Sequence, residues 1–203
     1  MINTRRDDVT RRWALRLSVC LVAGAAALTG CSEKQEANES LPTTSSAEPS
    51  EDALPPLGPQ DLPMPDEART QDAAGAEAFV RYYFALLNKS LTDMDPQHLR
   101  QFAEDGCDVC ERVARETESD AAQGYTYRGG ELTVAGEVSV TMTGPAEAQS
   151  AFIADQAPMT VLDRTGVPVP GLDFDGEEAL SSGTITVWDP SLRSWQLTEL
   201  TLG

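Results

Sequence analysis

The chain has one histidine, His98, and no run of 20 consecutive apolar residues. A helix that spans a bilayer needs about 20 apolar residues, so the longest apolar segment, residues 17–28, is too short to cross a membrane. His98 is also the only candidate for the histidine base of a serine hydrolase, and a zinc site with several histidine ligands cannot form. Neither a Gly-x-Ser-x-Gly elbow nor a glycine-rich phosphate loop occurs. The sequence therefore predicts no cofactor and no metal.

Basic residues are also scarce. Lysine and arginine together number 15 against 33 aspartates and glutamates, which gives a net charge of −18. This charge repels nucleic acid and anionic lipid headgroups, so we expect no nucleic-acid partner. Solubility in a crowded compartment is the simplest role for the charge, and a cationic partner or metal-ion buffering are the alternatives.

Residues 1–30 have the features of an export signal. Five arginines precede the apolar segment, and the small residues Thr29 and Gly30 stand before Cys31. This Leu-Thr-Gly-Cys ending resembles the lipobox of bacterial lipoproteins, in which the cysteine is diacylated and becomes the new N-terminus. The resemblance implies a lipid on Cys31 and a location on the extracytoplasmic face of the cell membrane, because two acyl chains give stable anchoring. A plain secretory signal is the alternative.

Residues 31–66 are predicted to form a disordered tether. Up to Asp52 the tether has no aromatic and almost no branched aliphatic residue, so it cannot bury enough apolar surface to offset the entropy of ordering the chain. Its proline-rich end, residues 54–65, favours a polyproline II conformation. The tether would hold the globular domain, predicted to span residues 67–203, away from the membrane.

Helical patterns come first in the predicted globular domain. Apolar residues recur at three- and four-residue steps from Ala76 to Leu91, which indicates a long amphipathic helix. Two shorter helices are predicted to begin near Asp95 and Asp108, and Gly124 is predicted to end the second of these.

Strand patterns follow from Tyr125 onward, where apolar and polar residues alternate. Residues 146–151 contain alanines that also suit a helix, whereas residues 184–188 and 195–200 form the clearest hairpin of the chain. Helices followed by strands predict an α+β fold, in which N-terminal helices pack on a curved antiparallel sheet.

The domain also resembles known families. The stretch from Leu62 to Arg69 runs into Gly75 to Asn88 and is followed by Cys107-Asp-Val-Cys110. Together with the lipobox, these segments resemble an uncharacterised family of actinobacterial lipoproteins, which implies a location and an architecture but no catalytic residue. The order of elements also resembles the cone-shaped fold of nuclear transport factor 2 (NTF2) and of polyketide-cyclase-like enzymes. Such folds host both enzymes and binding modules.

Cys107 and Cys110 are the only cysteines outside the signal and the lipobox. In an oxidising compartment they are expected to form a disulfide with each other. A structural role is favoured because four acidic neighbours oppose formation of a thiolate: Glu104, Asp105, Asp108 and Glu111. An exchanging redox pair is one alternative, and zinc binding is another, although His98 is the only further ligand of the usual kind.

A pocket between the long helix and the sheet is the candidate site. The aromatic residues that could line it are Tyr82, Tyr83, Tyr125, Tyr127, Trp188 and Trp195. We place Tyr83 and Trp195 in its wall and Asp93 or His98 near its mouth. The leading hypothesis is a non-catalytic, lipid-anchored envelope domain that binds another protein or a small apolar ligand through the concave face of the sheet. The alternative is a small cyclase- or isomerase-like enzyme with a general acid or base in the pocket.

Overall fold

The computed structural model describes residues 54–203. After a short 3₁₀ helix (Asp66–Arg69) its elements are α1 (Ala73–Asp93), α2 (Gln97–Gln101), α3 (Asp108–Gln123), β1 (Thr126–Gly129), β2 (Leu132–Gly144), β3 (Glu147–Gln156), β4 (Met159–Leu162), β5 (Glu177–Asp189) and β6 (Ser194–Thr201). Helices precede an antiparallel sheet, which confirms the predicted α+β fold. No helix between residues 54 and 203 is long and apolar enough to cross a membrane. The predicted signal peptide, Cys31 and most of the predicted tether lie outside the described residues.

Helix α1 is fixed at both ends by its own sequence. The Oδ1 atom of Asp72 accepts a hydrogen bond of 2.7 Å from the backbone N–H of Gly75, which satisfies one of the free donors of the first turn. Met94 ends the helix in the left-handed conformation, with φ of 55°. The predicted apolar stripe is buried along most of its length, at Ala76, Phe79, Val80, Tyr83, Phe84 and Leu87.

A four-stranded antiparallel sheet in the order β2-β3-β5-β6 forms the second layer, and β1 and β4 pair as a separate two-stranded sheet. In β3 the side chains alternate between the buried face and solvent. The alanine-containing segment 147–151 is therefore a strand, and it pairs with β2 on one side and β5 on the other. Strand β2 carries a bulge between Ala135 and Ser139, where Gly136 has φ of 69°. One bent strand, rather than two, therefore occupies this region.

The core lies between α1 and the four-stranded sheet. Trp195, Phe79 and Tyr83 are at most 1% exposed. The indole N–H of Trp195 donates a hydrogen bond of 2.9 Å to the carbonyl oxygen of Thr70, so this large ring is both buried and paired. Phe84 of α1 meets Phe152 of β3 edge to face, with ring centroids 5.3 Å apart. These contacts lock α1 onto the sheet.

The packed chain begins earlier than the boundary predicted at residue 67. Met64 is 6% exposed, and its N–H donates to the carbonyl oxygen of Leu57 at 2.8 Å. The hydroxyl of Tyr82 donates to the carbonyl oxygen of Leu62 at 3.2 Å. Residues 54–66 therefore lie against the domain, although the sequence places them in the tether. Leucine and methionine side chains between the prolines provide enough apolar surface to pack. The prolines favour the extended backbone conformation in which this segment lies against the domain.

Arg69 attaches this segment to the tip of the β5–β6 hairpin. Its guanidinium donates to the carbonyl oxygens of Pro55 at 2.6 Å, Leu192 at 3.0 Å and Arg193 at 3.4 Å. The start of the described chain is thereby held at the N-terminal end of α1. Since α1 has 21 residues, its other end is about 30 Å away.

The predicted disulfide is confirmed. Cys107 and Cys110 are bonded, their Cα atoms are 5.3 Å apart, and both side chains are buried. The bond spans the first turn of α3, and Gly124 ends this helix with φ of 80°, as predicted. The disulfide therefore fixes the start of the helix that forms one wall of the site described next.

Candidate functional site: an apolar cleft between α1 and α3

The four residues predicted to form a pocket lie in two different settings. Tyr83 and Trp195 are within the core, where neighbouring side chains fill the space around them. Asp93 and His98 lie toward the surface: Lys89 Nζ donates to Asp93 Oδ2 at 2.7 Å, and His98 Nδ1 is 3.1 Å from Gln101 Oε1. None of the four lines any of the cavities described below. Large aromatic side chains fill the space between α1 and the four-stranded sheet, because they bury the most surface per residue.

A cleft of about 210 Å³ opens at the C-terminal end of α1. It lies between α1, α3, the two-stranded sheet, the start of β2 and the end of the chain. Its apolar lining is Leu87, Leu91, Val109, Val113, Tyr127, Leu132, Met159 and Leu202, and its polar lining is Arg112, Glu116, Thr117 and Gln156. The cleft is therefore predominantly apolar, and its two charged lining residues, Arg112 and Glu116, are exposed.

The floor and the walls of the cleft differ in exposure. Leu87 and Leu132 form the floor and are 2% and 5% exposed. The walls are only partly buried, at Leu91, Val109, Val113, Met159 and Leu202. Apolar side chains from separate elements thus meet around one opening without closing it, which is how binding surfaces for apolar groups are built.

Asn88 holds the floor of the cleft in place. Its side-chain N–H donates to the carbonyl oxygen of Leu132 at 2.8 Å, and its carbonyl oxygen accepts from the N–H of Leu132, also at 2.8 Å. One amide therefore satisfies both backbone groups at the start of β2 and joins that strand to α1. Asn88 also lines a neighbouring cavity of about 230 Å³. Nothing in the spacing of the sequence marks this asparagine, since its partner is 44 residues away.

Tyr127 forms part of the wall and makes a hydrogen bond of its own. Its hydroxyl donates to Asp120 Oδ2 at 2.5 Å. Burial, and then the hydrogen bond to Asp120, raise the pKa of the Tyr127 hydroxyl above its usual range. Tyr127 therefore stays protonated at neutral pH with its donor already used, and the pair fixes the ring as a wall.

A second, larger cavity of about 530 Å³ adjoins the cleft, and we call it the acidic groove. Gln156 lines both cavities. Among the residues that the structure describes, five carboxylates and no lysine or arginine line the groove; the acidic residues are Glu131, Asp155, Asp175, Glu177 and Glu178. In residues 54–203 none of the five takes part in an ion pair.

Among protein families, one described as a family of unknown function, DUF6318, matches residues 59–195. The match runs from the proline-rich segment through α1 and α3 to the start of β6 and contains every residue that lines the cleft except Leu202. It confirms the resemblance to an uncharacterised family. No curated protein matches the chain.

Several solved structures resemble the fold at low identity. The intermembrane space region of the chloroplast protein ARC6 is 17% identical, with a TM-score of 0.48 over 66% of this chain and 97% of that one. An NTF2-like superfamily protein from Salmonella enterica subsp. enterica serovar Typhimurium is 10% identical, with a TM-score of 0.44 over 65% and 92%. A Catenulispora acidiphila protein in complex with S-DNPA is 14% identical, with a TM-score of 0.39 over 64% and 92%. An NTF2-like protein is thus among the neighbours, as the order of elements predicts, and likenesses this remote carry no argument about function.

Proposed function

We propose that this chain, which belongs to the DUF6318 family of unknown function, is a lipid-anchored lipoprotein of the cell envelope whose domain binds a partner protein through the apolar cleft. The observation that carries the proposal is the set of half-buried apolar walls around the cleft. Apolar surface left uncovered in this way costs free energy in water, and a partner that covers it recovers that free energy.

The size of the cleft supports a protein side chain as its occupant. Pockets for drug-sized ligands have volumes of about 300–1,000 Å³, whereas this cleft measures about 210 Å³. A space of this size suits one or two apolar side chains that project from a partner. A small apolar ligand remains the competing occupant, and the experiments below separate the two.

The position of the cleft suits a tethered domain. Arg69 holds the start of the described chain at the N-terminal end of α1, and Leu87 and Leu91 place the cleft near the C-terminal end of the same helix. The chain that leads from Cys31 would therefore enter the described domain near Pro55, at the end of α1 opposite the cleft. This arrangement favours a partner in the cell envelope over the bilayer as the binding surface.

The chemistry of the cleft favours binding over catalysis. The polar pair at the wall, Tyr127 and Asp120, is the feature that an acid–base enzyme would use. Efficient general acids and bases have a pKa near the working pH. Burial and the hydrogen bond to Asp120 instead raise the pKa of the Tyr127 hydroxyl, which moves it further from neutral pH. His98 is not among the residues that line the cleft.

Lipidation is tested by replacing Cys31 with Ala in the full chain. Because the thiol is the acceptor of the lipid, C31A should move the protein from the membrane fraction to the soluble fraction or leave the signal uncleaved. Mass spectrometry of the N-terminal peptide should show a diacylglyceryl group only when Cys31 is present. C20A, in the apolar segment of the signal, is the matched control and should stay in the membrane. An unmodified wild-type N-terminus would contradict the proposal.

Partner binding is tested by photo-crosslinking in cells that express the full chain. A benzophenone side chain at Val113 lies in the cleft wall, and the same group at Arg115, also on α3, is the control. We expect one dominant protein adduct at Val113 that is absent at Arg115 and is lost when Leu91→Asn is added. A lipid or small-molecule adduct, or equal labelling at the two sites, would overturn the assignment.

A further inference from the structure

We infer that the partner segment which enters the cleft is a cationic, extended peptide: an apolar side chain fills the cleft, and lysine or arginine side chains a few residues away bind the acidic groove. This inference rests on the proposed function, because it uses the same cleft as its anchor. It adds the chemical class of the partner.

The two cavities are adjacent on the surface. Gln156, the last residue of β3, lines both, and the chain passes from Asp155 in the groove to Met159 in the cleft. Four residues of extended chain span about 13 Å. Since about 13 Å is the most that this part of the chain can span, an extended peptide needs at most about four residues to pass from the level of Asp155 to that of Met159. This sets the spacing between its apolar anchor and its positive charges.

The charges of the groove are available to a partner. No basic side chain lines it, and within the described part of the protein its five carboxylates make no ion pair. Asp155 uses Oδ1 to accept a hydrogen bond from the N–H of Ala179 at 2.8 Å, and its second oxygen has no partner among residues 54–203. Glu177 and Glu178 are exposed. Like charges that face one another across a groove repel, and a cationic segment relieves that repulsion.

Other occupants fit this surface less well. Among the described residues, no three aspartate, glutamate, histidine or cysteine side chains converge closely enough to hold a metal ion, so the carboxylates suit several separate cationic groups. A second copy of the chain brings its own net charge of −18, and nucleic acid or anionic lipid is repelled for the same reason. Charge complementarity therefore selects a basic protein segment.

Peptide pools test this chemistry directly. Fluorescein-labelled ten-residue peptides carry a fixed central leucine or phenylalanine and, three to five positions away, either lysine and arginine, serine and glutamine, or aspartate and glutamate. Binding to the full chain in detergent is measured by fluorescence anisotropy. We expect the cationic pool to bind at least tenfold more tightly than the neutral pool. We also expect salt between 50 and 300 mM to weaken the cationic pool at least fivefold, since screening acts on exposed charges.

Variants separate the two parts of the surface. E131Q/E177Q/E178Q removes three groove charges and should bring the cationic and neutral pools to within twofold of each other. E67Q/E137Q/E199Q removes three exposed carboxylates elsewhere and should keep most of the preference. Leu91→Asn in the cleft should weaken the cationic and neutral pools together. Circular dichroism checks that each variant is folded.

The outcomes distinguish the inference from the proposed function. Neutral peptides that bind as tightly as cationic ones, with Leu91→Asn weakening both, would overturn the inference and leave the cleft as a binding site. A cationic preference that survives E131Q/E177Q/E178Q would also overturn the inference. Failure of every pool to bind at millimolar concentration would overturn both proposals.

Discussion

Val80 and Val113 are the same residue type on two helices of one domain, and their surroundings differ. Val80, on α1, is 0% exposed and lies in the layer between that helix and the four-stranded sheet. Val113, on α3, packs against the same core but keeps part of its side chain in solvent at the cleft. Burying an aliphatic side chain completely contributes about 1.5–3 kcal/mol, in proportion to the area removed from water.

The contrast extends to the neighbours of the two valines. Aromatic rings and aliphatic side chains fill the layer under α1, and Trp195, Tyr83 and Phe79 are among its best-buried members. The cleft is bordered by single aliphatic side chains from separate elements. Apolar residues in the closed layer therefore determine the stability of the fold, whereas those at the cleft are free to change their burial when a partner binds.

Trp195→Ala is the substitution expected to damage the closed layer most. It removes a fully buried ring and leaves the carbonyl oxygen of Thr70 without its donor, so we expect a loss of about 3–5 kcal/mol in the free energy of unfolding. Chemical denaturation measures the loss. Trp188→Ala is the control, because the Trp188 ring lies against that of Trp195, with ring centroids 5.5 Å apart, but is only partly buried. Equal losses for the two variants would show that the layer is less closed than the structure indicates.

Removal of the disulfide should cost less. Cross-linking so short a loop lowers the entropy of the unfolded chain by an amount worth about 2 kcal/mol, so C107A/C110A should lower the free energy of unfolding by about that much. Because the bond fixes the first turn of α3, which carries Val109, the variant should also weaken binding at the cleft. Wild-type protein in reductant should show the same losses as C107A/C110A. An unchanged unfolding transition in both samples would contradict the prediction.

The same valine substitution at both sites tests the comparison itself. Val80→Thr places a hydroxyl in a fully buried position, and we expect a loss of about 1–2 kcal/mol in the free energy of unfolding. Val113→Thr leaves its hydroxyl in reach of water and should cost less than about 0.5 kcal/mol. Binding should respond in the reverse order, with the peptide pools weakened by Val113→Thr alone. If the two substitutions cost the same, the distinction between closed layer and open cleft is wrong.

Local patterns in the sequence predict the closed layer well. The stripe from Ala76 to Leu91 specifies α1, because helical periodicity is visible within one segment. The hairpin β5–β6 follows from alternation on both sides of Asp189-Pro190. Residues 147–151 remain ambiguous, because alanine suits a helix while pairing with β2 and β5 supplies the ladder that makes them a strand.

The cleft could not be predicted in the same way. Its walls come from α1, α3, β1, β2, β4 and the end of the chain, so no spacing in the sequence brings Val113, Met159 and Leu202 together. Tyr127 is the one aromatic candidate from the sequence that lines it. The packing of residues 54–66 is hard to predict for a related reason. Leu57 and Met64 stand among prolines without helical or strand periodicity, and their burial depends on contacts with distant parts of the chain, such as the one between Leu62 and Tyr82.

Two adjacent tyrosines give the smallest expected effect and the finest test of the closed layer. Both side chains are buried; burial raises the pKa of Tyr82 to about 12 and also raises that of Tyr83, so both are protonated at neutral pH. The hydroxyl of Tyr82 donates to Leu62, whereas the hydroxyl of Tyr83 is buried without a partner in residues 54–203. Tyr82→Phe should therefore lower the free energy of unfolding by about 1 kcal/mol, the typical net contribution of one hydrogen bond.

Tyr83→Phe should leave the free energy of unfolding unchanged or raise it by up to about 1 kcal/mol, because it removes a polar group that is desolvated and unpaired. The pair of variants, compared by chemical denaturation, cancels the shared effect of losing one oxygen atom. A loss at Tyr83 as large as that at Tyr82 would mean that the Tyr83 hydroxyl has a polar partner inside the layer. A polar group enclosed there would return the interior beside Tyr83 and Trp195 to consideration as a binding site.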